Sequence, residues 1–560
     1  MAGSILTPTS IWSDFKIEGE KNIETVEEVN KDGVIISRFY FDGRRVDGTP
    51  VRIFSVSARS EKLSLIPCVY VLPDFDKDID EDFLISLAKK GYYAFSTDFS
   101  GEKENKKNYT VYPESVKYAD FEKAKESLDV IEDDVTSSPW YEWDCVGKYA
   151  LSYIFSQPFI IGVGTVGVKT GASILWHILA GEGRVSCAAF LFDAGWNAYF
   201  DKGNYKFDGK TPDFNDNDLK FLAGVDAQGY ASLIKVPTLI LSATNSEEYD
   251  FDRAADTLSR INKAVYSAID YSVNASGVLT GEAYSDLTCF LDEVLLKGQN
   301  PEKVFPANPD VICDFLDGEF NIDADADIRG LKKIVLYVSE GYLPQSVRTW
   351  KAVDEIEPDE LCDGQFLFKY KYNGGDACFF FVRAKYESGF TVSSDVICKK
   401  PDKKEITPQK RSNIIFSGRE KLSETVFAPF FGKDYKSFIN ADDGISLEKG
   451  PMGILGLTGK NGLITYKINS AGDKPSTDSV FLMDIYAESD AKVIITLVSK
   501  DKTEYSFSVD IAASKVWRNF KAAVNRFKSG EGKFMKDYSQ VNAIKITGEG
   551  KYLINNFLWV

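Results

Sequence analysis

The sequence predicts a doubly wound, mainly parallel α/β sheet in its first half and two all-β sandwiches in its second. Three observations carry this. Apolar strand-like runs alternate with helix-period segments up to about residue 298. From Asn300 the helix period disappears, and short strands separated by turn residues take over. A charged, proline-containing stretch, PDKKEITPQKRS, then divides the second half. The predicted units are 1–298, 299–402, a linker at 403–413, and 414–560. A chain of 560 residues is too long for one core, and three units match the usual domain size of about 100–200 residues.

Within the first unit, GVIISRFYFDG and TPVRIFSVSARS alternate as an antiparallel hairpin. LIPCVYVLPDF is a buried strand, DEDFLISLAKK a helix stopped by Gly91, and YYAFSTD the next strand, which together make a right-handed βαβ crossover. Gly101 to about Trp143 reads as a surface excursion leading into the helix WDCVGKYALSYIFS. VSCAAFLFDAGW, KVPTLILSATN and KAVYSAIDYSVN supply further strands, DKGNYKFDGKTPDFNDND a solvated loop, and YSDLTCFLDEVLLKG the closing helix.

The balance of charge narrows the partners. A net charge of −18 excludes the basic footprint that a nucleic acid or an anionic membrane surface requires. MAGSILTPTSIWSDFKIEGEKN has no basic region followed by an apolar run, and no later stretch is long and apolar enough to span a bilayer, so a cytoplasmic location is expected. The eight cysteines are scattered through apolar runs without metal-ligand spacing, so they read as reduced core thiols, and neither metal nor cofactor is expected. Histidine occurs once, as His177.

The chain is organised around Pro158–Ala180, PFIIGVGTVGVKTGASILWHILA: an apolar strand, a glycine-flanked turn at Gly167-Val168-Lys169-Thr170-Gly171, and a helix opened by small residues. A nucleophile elbow, G-x-S-x-G, sits in this strand–turn–helix context, and here its middle residue is Lys169. With the LPDF and GYYAFSTDFSG segments, the region from Leu65 to about Gly298 resembles the α/β-hydrolase superfamily, most closely its acetyl-xylan-esterase and peptidase-related branch. The resemblance implies an order of nucleophile, acid and histidine along the chain. The nucleophile position holds Lys169. The acid position holds Ser246, with Glu247 beside it, and the histidine position, in Val273–Ser276, holds Ala275. His177 lies eight residues beyond Lys169 on one helix, roughly 12 Å along the axis at 1.5 Å per residue, too far to serve as its base. Ser173 lies inside the helix, not at the turn.

A lysine at a helix N-terminus opposes the dipole at a cost of about 0.3–1 kcal/mol, so an acid should compensate it. The resemblance places an oxyanion-hole amide in the loop Leu72–Asp76, which supplies Asp74 and Asp76. The expected arrangement is a plug, with Lys169 paired to Asp74 or Asp76 and Thr170 beside it in the former active-site pocket. Two rivals are an acidic small molecule bound by Lys169 and nearby amides, and a lysine of lowered pKa acting as a nucleophile.

The strands of 299–402 resemble immunoglobulin-like modules, and the segment reads as a spacer containing Arg348 and Trp350. Residues 414–560, through GILGLTGKNGLITYKINS, VWRNFKAAVNRFKSGEG, DYSQVNAIKITG and INNFLWV, resemble jelly-roll carbohydrate-binding modules. That resemblance points to exposed aromatics as sugar platforms, with Tyr435, Phe438, Trp517 and Tyr538 as candidates; Trp559 reads as core. The expected function is a catalytically inactive, hydrolase-shaped binding or scaffolding protein, its partner a glycan or another protein, with self-assembly through the β domains. The alternative is a carbohydrate esterase or peptidase-like hydrolase using a displaced nucleophile.

Overall fold

The computed structural model describes residues 4–560 apart from 63–64, 201–204, 209–211, 247, 342–343, 360–361, 373–376, 402–413, 423–424, 431–437, 440–443 and 470–474. The predicted linker at 403–413 therefore lies outside the described residues.

Among the described residues, nine strands form one sheet: β1 (Glu24–Lys31), β2 (Val34–Val46), β3 (Thr49–Ser60), β4 (Ile66–Leu72), β5 (Tyr93–Thr97), β6 (Ile160–Val168), β7 (Cys187–Leu191), β8 (Thr238–Ala243) and β9 (Ser267–Ser272). Their order is β1-β2-β3-β5-β4-β6-β7-β8-β9. The hairpin strands β1 to β3 run antiparallel, and every pairing from β5 to β9 is parallel. The parallel strands are buried nearly throughout, as continuous apolar runs demand when helices cover both faces. The helices α1 (Glu81–Lys90), α2 (Pro139–Phe155), α3 (Thr170–Leu179) and α4 (Gly281–Leu291) supply that cover. Asp80 caps α1 by accepting from Phe83 N, and Gly91 ends it at φ 106°, as the sequence pattern predicts.

The predicted surface excursion is in fact wall. Tyr112 and Trp143 are buried, with Tyr112 Oη donating to Phe99 O at 2.6 Å and Trp143 Nε1 to Ala119 O at 2.9 Å. Its polar residues hide aromatic anchors that pack on the sheet. The predicted solvated loop likewise carries a short helix, Tyr205–Asp208, whose Lys206 reaches Asp256 at 3.2 Å and Asp395 of the next unit at 3.0 Å.

Among the described residues two antiparallel sheets follow: a three-stranded one of Asp310–Leu316, Glu319–Asp325 and Gln365–Lys371, and a five-stranded one centred on Leu331–Glu340 and Cys378–Tyr386. They face each other across rings such as Phe320 and Phe380, 4.8 Å apart. This unit is far more than a spacer. Arg348, fully buried, meets Asp252 of the first unit through Nη1 at 2.5 Å and Nη2 at 2.8 Å, and stacks 3.8 Å above Phe379. Arg383 reaches Asp270 on β9 at 2.6 Å, and both Arg383 and Lys385 reach Glu282 on α4 at 2.5 Å. Single-sequence pattern shows the strands but not these ion pairs, which join residues about a hundred positions apart.

The C-terminal unit consists of two six-stranded antiparallel sheets among the described residues. Its core includes Phe481, Met483, Ile495, Ile544 and Trp559. No helix among the described residues is long and apolar enough to cross a membrane, and no two cysteines are joined by a disulfide.

Candidate functional site

The turn between β6 and α3 holds Lys169 at φ 49°, ψ −117°. A non-glycine residue at positive φ and extended ψ stores strain, of order 1–3 kcal/mol, and persists only where its surroundings enforce it. Here the enforcement is visible. Lys169 N donates to Leu191 O at 2.8 Å, and Lys169 O accepts from Ala172 N at 2.7 Å as the first bond of α3. A Cβ on Gly167 would come within 2.6 Å of Ala172 Cα, and one on Gly171 would overlap the carbonyl oxygens of Leu72 and Pro73. Both glycines are thus required by close approach.

The Lys169 ammonium lies 2.7 Å from Glu248 Oε2 and 3.5 Å from Asp74 Oδ2. Asp74 Oδ1 accepts from Phe75 N at 2.9 Å and from Thr170 N at 3.4 Å. The carboxylate therefore lies on the amide next after the elbow residue, where an acyl-transfer site would stabilise an oxyanion. Gly277, at φ 63°, lets the lysine stem pass, since a Cβ there would be 3.0 Å from Lys169 Cε. Asp76 pairs with its neighbour Lys77 at 3.2 Å rather than with Lys169. Burial pushes Asp74 up to about 6 despite Lys169. Burial also lowers Lys169, but Asp74 and Glu248 outweigh it and hold the ammonium above its ordinary value. A lysine nucleophile needs the opposite shift. Glu248 was the partner that sequence reasoning missed; the signal was the acidic doublet after LILSATN, of which Glu247 lies outside the described residues.

The loops after β8 and β9 bind the middle unit. Ser246 Oγ accepts from Tyr249 N at 2.9 Å and closes a turn, and Ala275 O accepts from Asn245 N at 3.0 Å. Asn245 Nδ2 donates to Arg348 O at 2.6 Å, and Asn274 exchanges two 2.8 Å hydrogen bonds with the Trp350 backbone. The loops that would carry an acid and a histidine thus hold the middle sandwich.

The displaced groups are engaged elsewhere. His177 is fully buried, with Nδ1 2.9 Å from Asp144 Oδ1 and Nε2 2.7 Å from Val225 O. Burial lowers its pKa, but Asp144 and the Val225 carbonyl reverse this, and the net shift is upward. Ser173 Oγ donates to Asp193 Oδ2, and burial pushes that carboxyl up to about 7.

Of the sugar-platform candidates, Tyr435 lies outside the described residues. Tyr538 is fully buried against Trp559 at 4.7 Å, with its hydroxyl on Ala522 O at 3.2 Å, so it is core. Trp517 is half-buried, 5.7 Å from Tyr486, with Nε1 on Pro451 O at 3.3 Å. Phe438 packs edge-on to Phe83 at 5.0 Å, and its carbonyl accepts from Leu279 N at 2.8 Å. Phe438 thereby brings the C-terminal unit over the elbow. Between them lies a cavity of about 450 Å³, walled by Asp74, Lys169 and Glu248 on one side and by Phe430, Phe438 and Tyr466 on the other. Among the described residues, no group of three or more His, Cys, Asp or Glu side chains is placed to hold a metal ion.

Strand order, elbow geometry and loop positions define an α/β-hydrolase fold over the first half of the chain, with additional antiparallel sheets behind it. Similar solved structures include an acetyl xylan esterase from Paenibacillus sp. R4, at 12% identity and TM-score 0.38, which matches 51% of this chain and 91% of its own. Acetyl xylan esterase 1 from Thermoanaerobacterium sp. JW/SL YS485 is 15% identical at TM-score 0.36, covering 49% and 87%. A cold-adapted esterase from an Arctic intertidal metagenomic library is 14% identical at TM-score 0.33, covering 48% and 97%. No family model and no curated protein matches the chain.

Proposed function

We propose that this protein recognises rather than hydrolyses: an esterase-shaped scaffold whose elbow is closed by an internal ion pair. Its outlets are a glycan or protein partner at the C-terminal unit and self-assembly through the β domains. The observation that carries the reading is the Asp74 carboxylate, hydrogen-bonded to the Thr170 amide and paired with Lys169. The negative charge that Asp74 carries above about pH 6 repels the oxyanion of any acyl transfer, and a raised lysine pKa disfavours attack by the amine. The half-buried Trp517 beside Tyr486 supports the glycan side, because an aromatic face stacks on a sugar ring. The rival, a hydrolase working through Ser173, has its hydroxyl on Asp193 and its histidine between Asp144 and Val225.

The test is turnover of p-nitrophenyl acetate by the full chain, by Lys169→Ser and by Ser173→Ala. The expected result is no turnover above the uncatalysed rate for all three. Turnover by the wild type that disappears in Ser173→Ala would establish the hydrolase instead.

A further inference from the structure

The cavity over the elbow has a definite chemical character. Its wall carries five carboxylates, Asp74, Asp76, Asp78, Asp80 and Glu248, against three ammonium groups, Lys77, Lys169 and Lys545. Each ammonium is already matched: Lys169 by Glu248 and Asp74, Lys77 by Asp76 at 3.2 Å, and Lys545 by Glu504 at 2.8 Å. An entering anion would meet no uncommitted positive charge here. The carboxylates are partly matched too, Asp76 by Lys77 and Asp78 by Lys106 at 3.8 Å, but they outnumber the ammonium groups of the wall, which keeps its excess of negative charge. The acidic metabolite that an elbow lysine suggests is therefore the wrong sign.

Two polar atoms of the wall have no hydrogen-bond partner: Ser96 Oγ, in a side chain only 1% exposed at the end of β5, and Asp76 Oδ1. Buried hydroxyls and carboxylates are normally satisfied, so these two atoms stand ready for a ligand's donors. The opposite wall is aromatic, and the Phe430 ring already carries the Lys545 ammonium 4.9 Å from its centroid. This side of the cavity thus accommodates positive charge on a ring face. A volume of about 450 Å³ is in the range of small-molecule sites.

We propose that the cavity binds a small organic cation, an amine or quaternary ammonium with a compact apolar body. Its charge lies towards Asp76 and Asp78, its apolar part against Phe430 and Phe438, and Ser96 Oγ accepts a hydrogen bond from it where it carries a donor. The site is composite, because neither the hydrolase-fold unit nor the C-terminal unit supplies both walls. The inference rests on the reading of the elbow as a site of recognition, and the experiment separates the two by recording ester turnover in the same samples.

The experiment is calorimetric titration of the full chain with phenethylamine and choline, and with phenylacetate as the anion of matching shape. Saturable binding of at least one cation, without binding of phenylacetate, is expected. A combined Asp76→Asn and Asp78→Asn change should weaken binding at least tenfold. Ser96→Ala, which removes a hydroxyl with no protein partner, should weaken phenethylamine severalfold while thermal unfolding stays unchanged, and this variant carries the test if the double variant does not fold. Binding of phenylacetate in place of the cations, cation binding indifferent to both variants, or no binding of any probe by folded protein would each overturn the proposal. Ester turnover with intact cation binding would overturn only the reading of the elbow.

Discussion

Asn274 and Trp350 are joined by a reciprocal pair of 2.8 Å hydrogen bonds, Asn274 Nδ2 to Trp350 O and Trp350 N to Asn274 Oδ1. An amide side chain is suited to this, since it offers donor and acceptor together, as a backbone strand does. Both residues are buried, Trp350 at 1% exposure. Asn274→Ala should leave a backbone N–H and C=O unpaired in the interior, costing about 1–3 kcal/mol. A lowered unfolding midpoint of the first two units in thermal melts checks it; an unchanged midpoint would show the joint to be dispensable.

The Asp74 carboxyl titrates in a window of its own making. Burial raises it in the folded state to about 6 from an ordinary 3.8. A raised carboxyl contributes stability that is fully present below the ordinary value and is lost as pH rises through the folded one. Asp193 and Asp250, raised to about 7 and about 6, titrate nearby. The informative quantity is therefore the difference between wild type and Asp74→Asn. Relative to that variant, the wild type should gain on the order of 1–3 kcal/mol as pH falls from 7 to 4. Parallel stability curves for the two proteins across this range would contradict it.

Glu282 has the opposite sign. Arg383 first, and Lys385 with it, lower its pKa from 4.5 to about 2 against the effect of burial. Its contribution is present above 4.5 and lost as pH falls through 2. Glu282→Gln should destabilise the chain by roughly 2 kcal/mol near neutral pH, and the gap from wild type should close on acidification. Denaturant titrations at pH 7 and pH 3 compare the full contribution with a point inside the window, where the gap should already be smaller.

Trp517 is the one sequence-predicted sugar platform that is described and is neither core nor part of the elbow cavity. Titration with a panel of neutral oligosaccharides should show saturable binding that Trp517→Ala reduces at least tenfold, roughly 1.4 kcal/mol. Tyr538→Phe, altering a core hydroxyl on Ala522 O, should leave that binding unchanged and cost about 1 kcal/mol of stability. Equal loss of binding in both variants would mean that Trp517 acts through the fold.

What the sequence made legible was local. The order of strands and helices through the first unit, the elbow and its two glycines follow from periodicity and backbone sterics, which act over a few residues. The need for an acid near Lys169 was legible too, because an ammonium at a helix N-terminus opposes the dipole. Which acids answer was only half legible: the strand end offers Asp74 and Asp76 without choosing between them, and Glu248 depends on how the loop after β8 folds back. Phe438 and Tyr538 show the limit most clearly. Both are aromatic residues in polar-rich stretches, yet one docks a neighbouring unit and the other fills a core, and only tertiary packing distinguishes them. The joints at Arg348, Asn245 and Asn274 were invisible, since hydrogen bonds between residues 76 to 103 positions apart leave no period in the chain.

The use of the loops after β8 and β9 as joints has an evolutionary consequence. A serine at 169 would still face Asp74 on the Thr170 amide, and a histidine in place of Ala275 would have to enter a buried position between the joints made by Asn245 and Asn274 before any chemistry was gained. Each single step towards a triad is unfavourable alone, and its benefit would come only when all were taken together. The joints therefore couple the elbow to the stability of the chain, so that selection for stability alone opposes change in those loops.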